Sequence, residues 1–370
     1  MKDKSLNPDV RASIVTQLGQ SKTVLKDLEA RLKTSEHELY AVADKLPNLI
    51  DASTPTDGKP KLVRWINEKP TKTIPLSHRD IGEKLNLLDF ITAAQVSGGS
   101  WYYLLNDGAL LEQALIQYAI SKARAHGFHM VVPPSIVKQS LVHACGFQPR
   151  DQGGEQQVYQ LAGPNEGLSL TGTAEIPLAG LGLGRTFEKE ALPVKYVGVS
   201  RSYRAEAGAR GKDTKGLYRV HEFTKVELFV YSTPEQSTQL LEDLLQFQIE
   251  MIEELGLTAK VLDMPSNDLG APAYKKYDIE AWMPGRGDFG EVTSSSNCTD
   301  YQSRRLGARF INRAGANQLD FVHTLNGTAV AVPRLIVAIL ENFYDEATES
   351  VAIPEVLRKY MDGKDRIVKC

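Results

Sequence analysis

Cysteine is scarce in this chain. Only Cys145, Cys298 and Cys370 occur in 370 residues, odd in number, far apart and with no CxxC pair. That spacing argues against a disulfide framework or a thiolate zinc site and points to a reducing compartment. Long apolar runs are missing too. No stretch of about 18 apolar residues is present, so no membrane-spanning helix is expected, and the N-terminus lacks the apolar core of a secretory signal. Neither sign of charge dominates: the formal net charge is −3. Any nucleic-acid partner must therefore be met by local patches rather than by a global field. Common nucleotide and acyl-transfer signatures also fail. "RGKDTKG" (210–216) lacks the leading glycine of a phosphate loop and the Ser or Thr that should follow Lys212. "GLGLG" (180–184) reads as a turn, and "GVSRS" (198–202) lacks the closing glycine of a nucleophile elbow. An ATP site, if there is one, must be of another kind.

What is there suffices for a large core, with 42% hydrophobic and 24% charged residues. From 10 to 46, Leu18, Leu25, Leu32, Leu39 and Leu46 recur seven apart, with Ile14, Leu28 and Val42 between them. This is the period of a coiled-coil helix, about 55 Å long at 1.5 Å per residue. The segment 47–60, rich in proline and polar residues, reads as a linker, and a compact domain is expected over 61–370. Amphipathic helices are predicted at 107–125 and 234–255. Strands are predicted at 128–133, 194–206, 217–231, 257–263, 277–283, 288–295 and 319–326. Strands joined by hairpins predict an α+β fold, an antiparallel sheet flanked by helices and preceded by the long coiled-coil-type helix.

The pair 194–206 and 217–231 carries an unusual face. Side chains two apart share a side of a strand. Arg204 and Glu206 therefore fall opposite Val197, Val199, Tyr203 and Ala205, while His221, Phe223, Lys225 and Glu227 fall opposite Val220, Val226, Leu228 and Val230. Charged alternation alone fits a hairpin with one solvated face. An aromatic ring and two glutamates set among the cations suit a planar base and a zwitterion better. The basic, glycine-rich stretch between the strands is expected to be a mobile loop.

Five segments together resemble the seryl-tRNA synthetases, a family of class II aminoacyl-tRNA synthetases. "YRAEAGARGKDTKGLYRVHEFTKVELF" (203–229) is similar to motif 2, "HGFHMVVPP" (126–134) to motif 1 with Pro134 as its closing proline, and "TLNGTAVAVPRLIVAILENF" (324–343) to motif 3 with Arg334. "LTGTAEIPL" (170–178) resembles the family's TAE loop, and "GEVTSSSNCTDYQSRR" (290–305) its nucleotide and metal strand. The resemblance implies ATP-dependent activation of L-serine to seryl-adenylate and transfer to serine tRNA by a homodimer joined through motif 1. It implies catalytic roles for Arg204, Glu291 and Arg334, and a serine site of Thr173, Ala174, Glu175, Arg204, Glu227, Asn326 and Thr328. It further implies an ATP site of Arg204, Ala205, Glu206, Val220, His221, Glu222, Phe223, Glu291, Val292, Thr293, Ser294 and Arg334. The adenine would be read by Glu206 and the backbone near Val220 and His221 over Phe223, and Mg²⁺ would be held by Glu291 and Ser294.

Two departures accompany the likeness. Thr328 stands where many relatives have serine, and Pro333 precedes the arginine of motif 3, a position tolerable at the start of a helix. Family members begin with a cap and a two-helix arm that reaches the variable arm of serine tRNA. Here 1–46 reads as the returning helix alone, with the first expected to be missing. Two alternatives follow: a paralogue that activates an amino acid without efficient tRNA charging, and a non-catalytic paralogue that binds a partner through the leucine seam. The motif strings look closest to bacterial and fungal mitochondrial members, which favours a mitochondrial location over a cytoplasmic one.

Overall fold

Two compact units divide the chain, one up to Pro47 and one from Asn48 onward. The computed structural model describes residues 7–147, 157–206, 216–312 and 318–369. Of the loop expected to be mobile, 208–216, residues 208–215 lie outside the described residues. The first unit is a helix, α1 (Pro8–Ala43), whose start is set by a proline in the first turn and by Asn7, whose side chain accepts from Asp9 N. Its leucine stripe is exposed, from 45% at Leu18 to 66% at Leu39.

In the second unit the stretch read as a linker carries specific bonds. Asn48 Nδ2 lies 2.9 Å from the carbonyls of Pro272 and Cys298, and Asp51 N donates to Tyr274 O. Around it stand β1 (Lys61–Ile66), α2 (His78–Lys84), α3 (Asn106–Ala125), β2 (His129–Val131), α4 (Glu175–Ala179), β3 (Val194–Tyr203), β4 (Glu222–Ser232), α5 (Pro234–Glu254), β5 (Ala259–Asp263), β6 (Lys275–Met283), β7 (Asp288–Thr299), β8 (His323–Ala331) and α6 (Val332–Phe343). The strands form one sheet in the order β1-β5-β6-β7-β8-β4-β3-β2. Every pair is antiparallel except the edge pair β2 with β3, which is parallel.

Helices α3, α5 and α6 pack their apolar faces on this sheet. Leu111 and Leu115 of α3, Leu244 and Phe247 of α5, and Leu335 and Ile339 of α6 are each at most 2% exposed. Each such side chain contributes roughly 1.5–3 kcal/mol by leaving water. Pro333 sits in the first turn of α6, where a missing N–H costs nothing, so Arg334 stands at the helix entrance as expected.

The expected strand ends need correction. The ladder of β3 and β4 stops at Tyr203 opposite Glu222, so Arg204–Glu206 and Gly216–His221 fall outside it. Arg204 N still donates to His221 O at 2.9 Å, but Glu206 turns to φ 46° and the chains separate. The predicted strand 319–326 is two strands, Gln318–Phe321 in a small separate sheet and β8 in the main one.

Candidate active site

Where β3 and β4 part, the sheet opens a cavity of about 550 Å³, continuous with solvent. Arg204 and Glu206 reach it from the end of β3, Leu217 to Val220 from the returning limb, Phe223 and Lys225 from β4, and Arg334 from the start of α6. Two bulges supply the remainder. On β7, Glu280 faces Glu291 while Ile279 faces Thr293, so Val292 is an extra residue. On β8, Thr328 faces Glu227 while Val330 faces Val226, so Ala329 is extra. An inserted residue resets strand parity. Glu291 and Ser294, three apart, therefore both line the cavity, as do Thr328 and Ala331.

Cations and carboxylates oppose one another across this space. Arg204's guanidinium lies over the Phe223 ring at 5.2 Å, and Arg334's over the Tyr218 ring at 4.7 Å. Arg334 also donates to Glu291 O at 3.0 Å and to Tyr218 O at 3.3 Å, and lies 3.5 Å from the Glu291 carboxylate. Burial, and then the like charge of Arg334, press the Arg204 guanidinium below its ordinary pKa, with Glu206, Glu291 and Glu227 in opposition. Two guanidiniums crowded in this way form a ready field for an anion. Burial works to raise Glu291, but Arg334, Lys276, Arg204 and Lys225 outweigh it and hold the carboxyl below its usual range.

Beside the cavity lies a buried polar set. Lys225 Nζ is 2.7 Å from Glu227 Oε2 and 3.0 Å from Thr173 Oγ1, and Thr328 Oγ1 lies 3.5 Å from the same Glu227 oxygen. Glu175 accepts from Gln302 Nε2 at 2.6 Å. Burial and then the charge of Glu227 push the Glu175 carboxyl up to about 7, against Lys225, Gln302 and Asn326. Burial raises Glu227 as well, with Lys225 and Arg204 opposing. Lys225 is thus paired with Glu227, while Glu175 feels its charge without an ion pair to it.

Not every expected residue reaches the cavity. His221 turns its ring to Tyr159 and Trp101, and its backbone N–H and C=O pair with Ser100 O and Arg204 N. Glu222, on the other face of β4, pairs with Arg201. Thr293 is buried and its hydroxyl donates to Thr328 O, Ala174 packs in the core, and Ala205 N donates to Gln157 O. Lys225 belongs to the site although the family pattern did not include it, and strand parity with Glu227 already placed it on that face. Lys276 and Asp278, 2.7 Å apart on β6, were also missed. Burial pushes Asp278 up to about 7, with Lys276 opposing and the nearby Glu291 adding to the rise. Their alternation in "KKYDIE" was the available signal.

A mitochondrial serine–tRNA ligase of Saccharomyces cerevisiae is 54% identical over 96% of this chain and 82% of its own length. The chain belongs to the seryl-tRNA synthetases. A bacterial synthetase of this family, from Treponema denticola, is 44% identical over 99% of the chain and 86% of its own length. The seryl-tRNA synthetase of Pyrococcus horikoshii, solved with ATP, superposes with a TM-score of 0.86 at 38% identity, covering 95% of this chain and 83% of that one. The profile of the tRNA synthetase class II core domain (G, H, P, S and T) matches residues 159–343, which includes every residue that lines the cavity.

Proposed function

We propose that this chain activates L-serine with ATP and passes the seryl group to serine tRNA. One observation carries the reading: Arg204 and Arg334, from separate elements, converge on a single cavity that shares Lys225 and Thr328 with the buried Glu175–Glu227 set. The first part suits a triphosphate and the second an amino acid. Family membership, and the ATP in the Pyrococcus horikoshii structure, support the same nucleotide here.

The chemistry asks for positioning more than for proton transfer. A serine carboxylate, with a reference pKa below about 4, is already ionised at neutral pH and needs no general base. Its oxygen bonds to the α-phosphorus as the bond from that phosphorus to pyrophosphate breaks. The planar fork of Arg204 can hold the carboxylate and an α-phosphate oxygen together, which aligns the attack and offsets charge as it develops. Phe223 offers a face to the base, with Val220 and Glu206 at its edge, and Arg334 meets the outer phosphates. Thr173 and Glu175 receive the ammonium, while Glu227, Asn326 and Thr328 face the hydroxyl. A site built to pair that hydroxyl rejects alanine, because polar groups would be left without partners.

Magnesium fits the donors present. The Glu291 carboxylate, kept ionised by its cationic neighbours, and the Ser294 hydroxyl are hard oxygen ligands. So few protein ligands suit a small ion that takes its remaining ligands from water and phosphate. Bound there, Mg²⁺ would neutralise phosphate charge.

A homodimer through the motif 1 region is supported by β2, an edge strand with Met130 50% exposed, and by Val132 just beyond it, 81% exposed. Residues 1–46 act as an arm for tRNA and residues 61–370 as the catalytic domain, with 47–60 joining them. The mitochondrion is the compartment proposed, on the likeness to the yeast mitochondrial enzyme. Serine-dependent exchange of pyrophosphate into ATP, followed by charging of total tRNA, tests the reading. Exchange that does not depend on serine would overturn the specificity, and exchange without charging would overturn the transfer step.

A further inference from the structure

We infer that His78 and Glu341, remote from the serine-binding groups, are positioning residues for the nucleotide, acting through the limb that returns from the loop to β4. The inference rests on the cavity's reading as a nucleotide site.

His78 is the first residue of α2, fixed there by the reciprocal bonds of Ser77 and Asp80. Its backbone N donates to Glu341 Oε1 at 3.0 Å, and its Nδ1 lies 2.9 Å from the same oxygen. The other oxygen of Glu341 accepts from Gly285 N at 2.9 Å and Arg286 N at 3.2 Å. Glu341 is thus a buried carboxylate, 1% exposed, whose four donors come from two separate segments. Leu217 N donates to His78 Nε2 at 3.1 Å. With Nε2 accepting, the ring proton sits on Nδ1 and points to Glu341, so the carboxylate selects the tautomer that can hold Leu217.

Leu217 begins the limb Leu217–Val220, all four residues of which line the cavity. The next residue along is held from the same helix: Arg334 Nε donates to Tyr218 O at 3.3 Å. Arg334 and Glu341 are seven residues apart on α6, two turns along one face. One helix therefore grips two neighbouring residues of the limb, Leu217 through His78 and Tyr218 directly. Gly216 fits this contact, since a Cβ there would collide with His78 Nε2.

The two grips differ once a nucleotide is bound. Arg334 is the group expected to turn toward phosphate, which would leave Tyr218 O without that donor. His78 makes no such exchange, and its bond to Leu217 becomes the limb's attachment to the body. Loosening it should weaken nucleotide binding and leave the serine groups, on α4, β4 and β8, undisturbed.

The test compares His78→Asn with His78→Gln by direct titration with ATP and by KM in serine-dependent pyrophosphate exchange. Asparagine keeps a polar group where Nδ1 lies but is too short to reach Leu217 N, whereas glutamine can present an oxygen near the position of Nε2. Loss of one such bond predicts that His78→Asn weakens ATP binding about five- to tenfold and leaves the serine KM within about twofold. His78→Gln should recover most of the ATP affinity. Unchanged ATP affinity in His78→Asn, or an equal rise in both KM values, would overturn the inference. If the unaltered protein binds ATP but shows no serine-dependent exchange, the proposed reaction fails while the ATP titrations still decide the role of His78.

Discussion

Arg204 is the side chain on which most of the proposed chemistry converges, since it lies over Phe223, opposes Arg334 and feels Glu206, Glu227 and Glu291 together. Replacing it with alanine should slow serine-dependent exchange by at least ~10²-fold, the scale of losing one preorganised charge contact. Near-normal exchange in that variant would remove Arg204 from the reaction. Glu175 gives a prediction in pH. Its carboxyl titrates at about 7, raised by burial and by Glu227, with Lys225, Gln302 and Asn326 in opposition and Cys145 and Cys298 nearby. A carboxyl raised in the fold binds its proton more tightly there than in the unfolded chain. Ionising it therefore costs stability as pH rises from the ordinary carboxyl value of 4.5 towards 7. The ammonium of a bound serine offsets that cost. The serine KM should accordingly rise as pH falls through about 7 while the ATP KM changes less, and Glu175→Gln should flatten the profile. A serine KM independent of pH between 6 and 8 would separate Glu175 from the ammonium.

At the scale of elements, the two bulges of β7 and β8 are held by a residue that touches no expected ligand. Gln248, 1% exposed on α5, donates from one amide nitrogen to Ser294 O at 2.7 Å and to Thr328 O at 2.9 Å. These carbonyls belong to adjacent strands, one two residues past the inserted Val292 and the other beside the inserted Ala329. Gln248→Leu keeps similar volume but removes both donors. It should destabilise the fold by roughly 1–3 kcal/mol and raise the KM for serine and ATP alike, because Ser294 and Thr328 would lose their register. Urea unfolding with an unchanged m-value checks the first part, and steady-state exchange kinetics the second. A loss confined to one substrate would mean that the strands do not depend on each other through Gln248.

At the scale of the whole molecule, the unit from Asn48 onward carries its own core and all the site residues, whereas α1 exposes its leucine stripe. About five leucines at ~1.5–3 kcal/mol each are a large surface to leave in water, so the stripe calls for a partner. Removing residues 1–47 should leave serine-dependent exchange near that of the full chain and lower tRNA charging at least ~10-fold, the effect of losing only ~1.4 kcal/mol of binding. Loss of exchange as well would show that the helix supports the catalytic fold.

Much of this was legible in residue order alone. Periods of seven and of two are local properties of the chain, so α1, α3, α5 and the charged face of the hairpin could be read directly, and Arg204, Phe223 and Glu227 with them. Other features depend on residues far apart in sequence. Parity cannot say that Val292 and Ala329 are extra, because a bulge exists only relative to the strand opposite. Nor can it say that His221 turns its ring away from the cavity, since Trp101 and Tyr159 decide that orientation through contacts between distant segments. Local spacing thus determined which elements form and which faces carry charge. Packing between elements decided which of those charges meet, because burial and electrostatic shifts depend on neighbours brought together only by the fold.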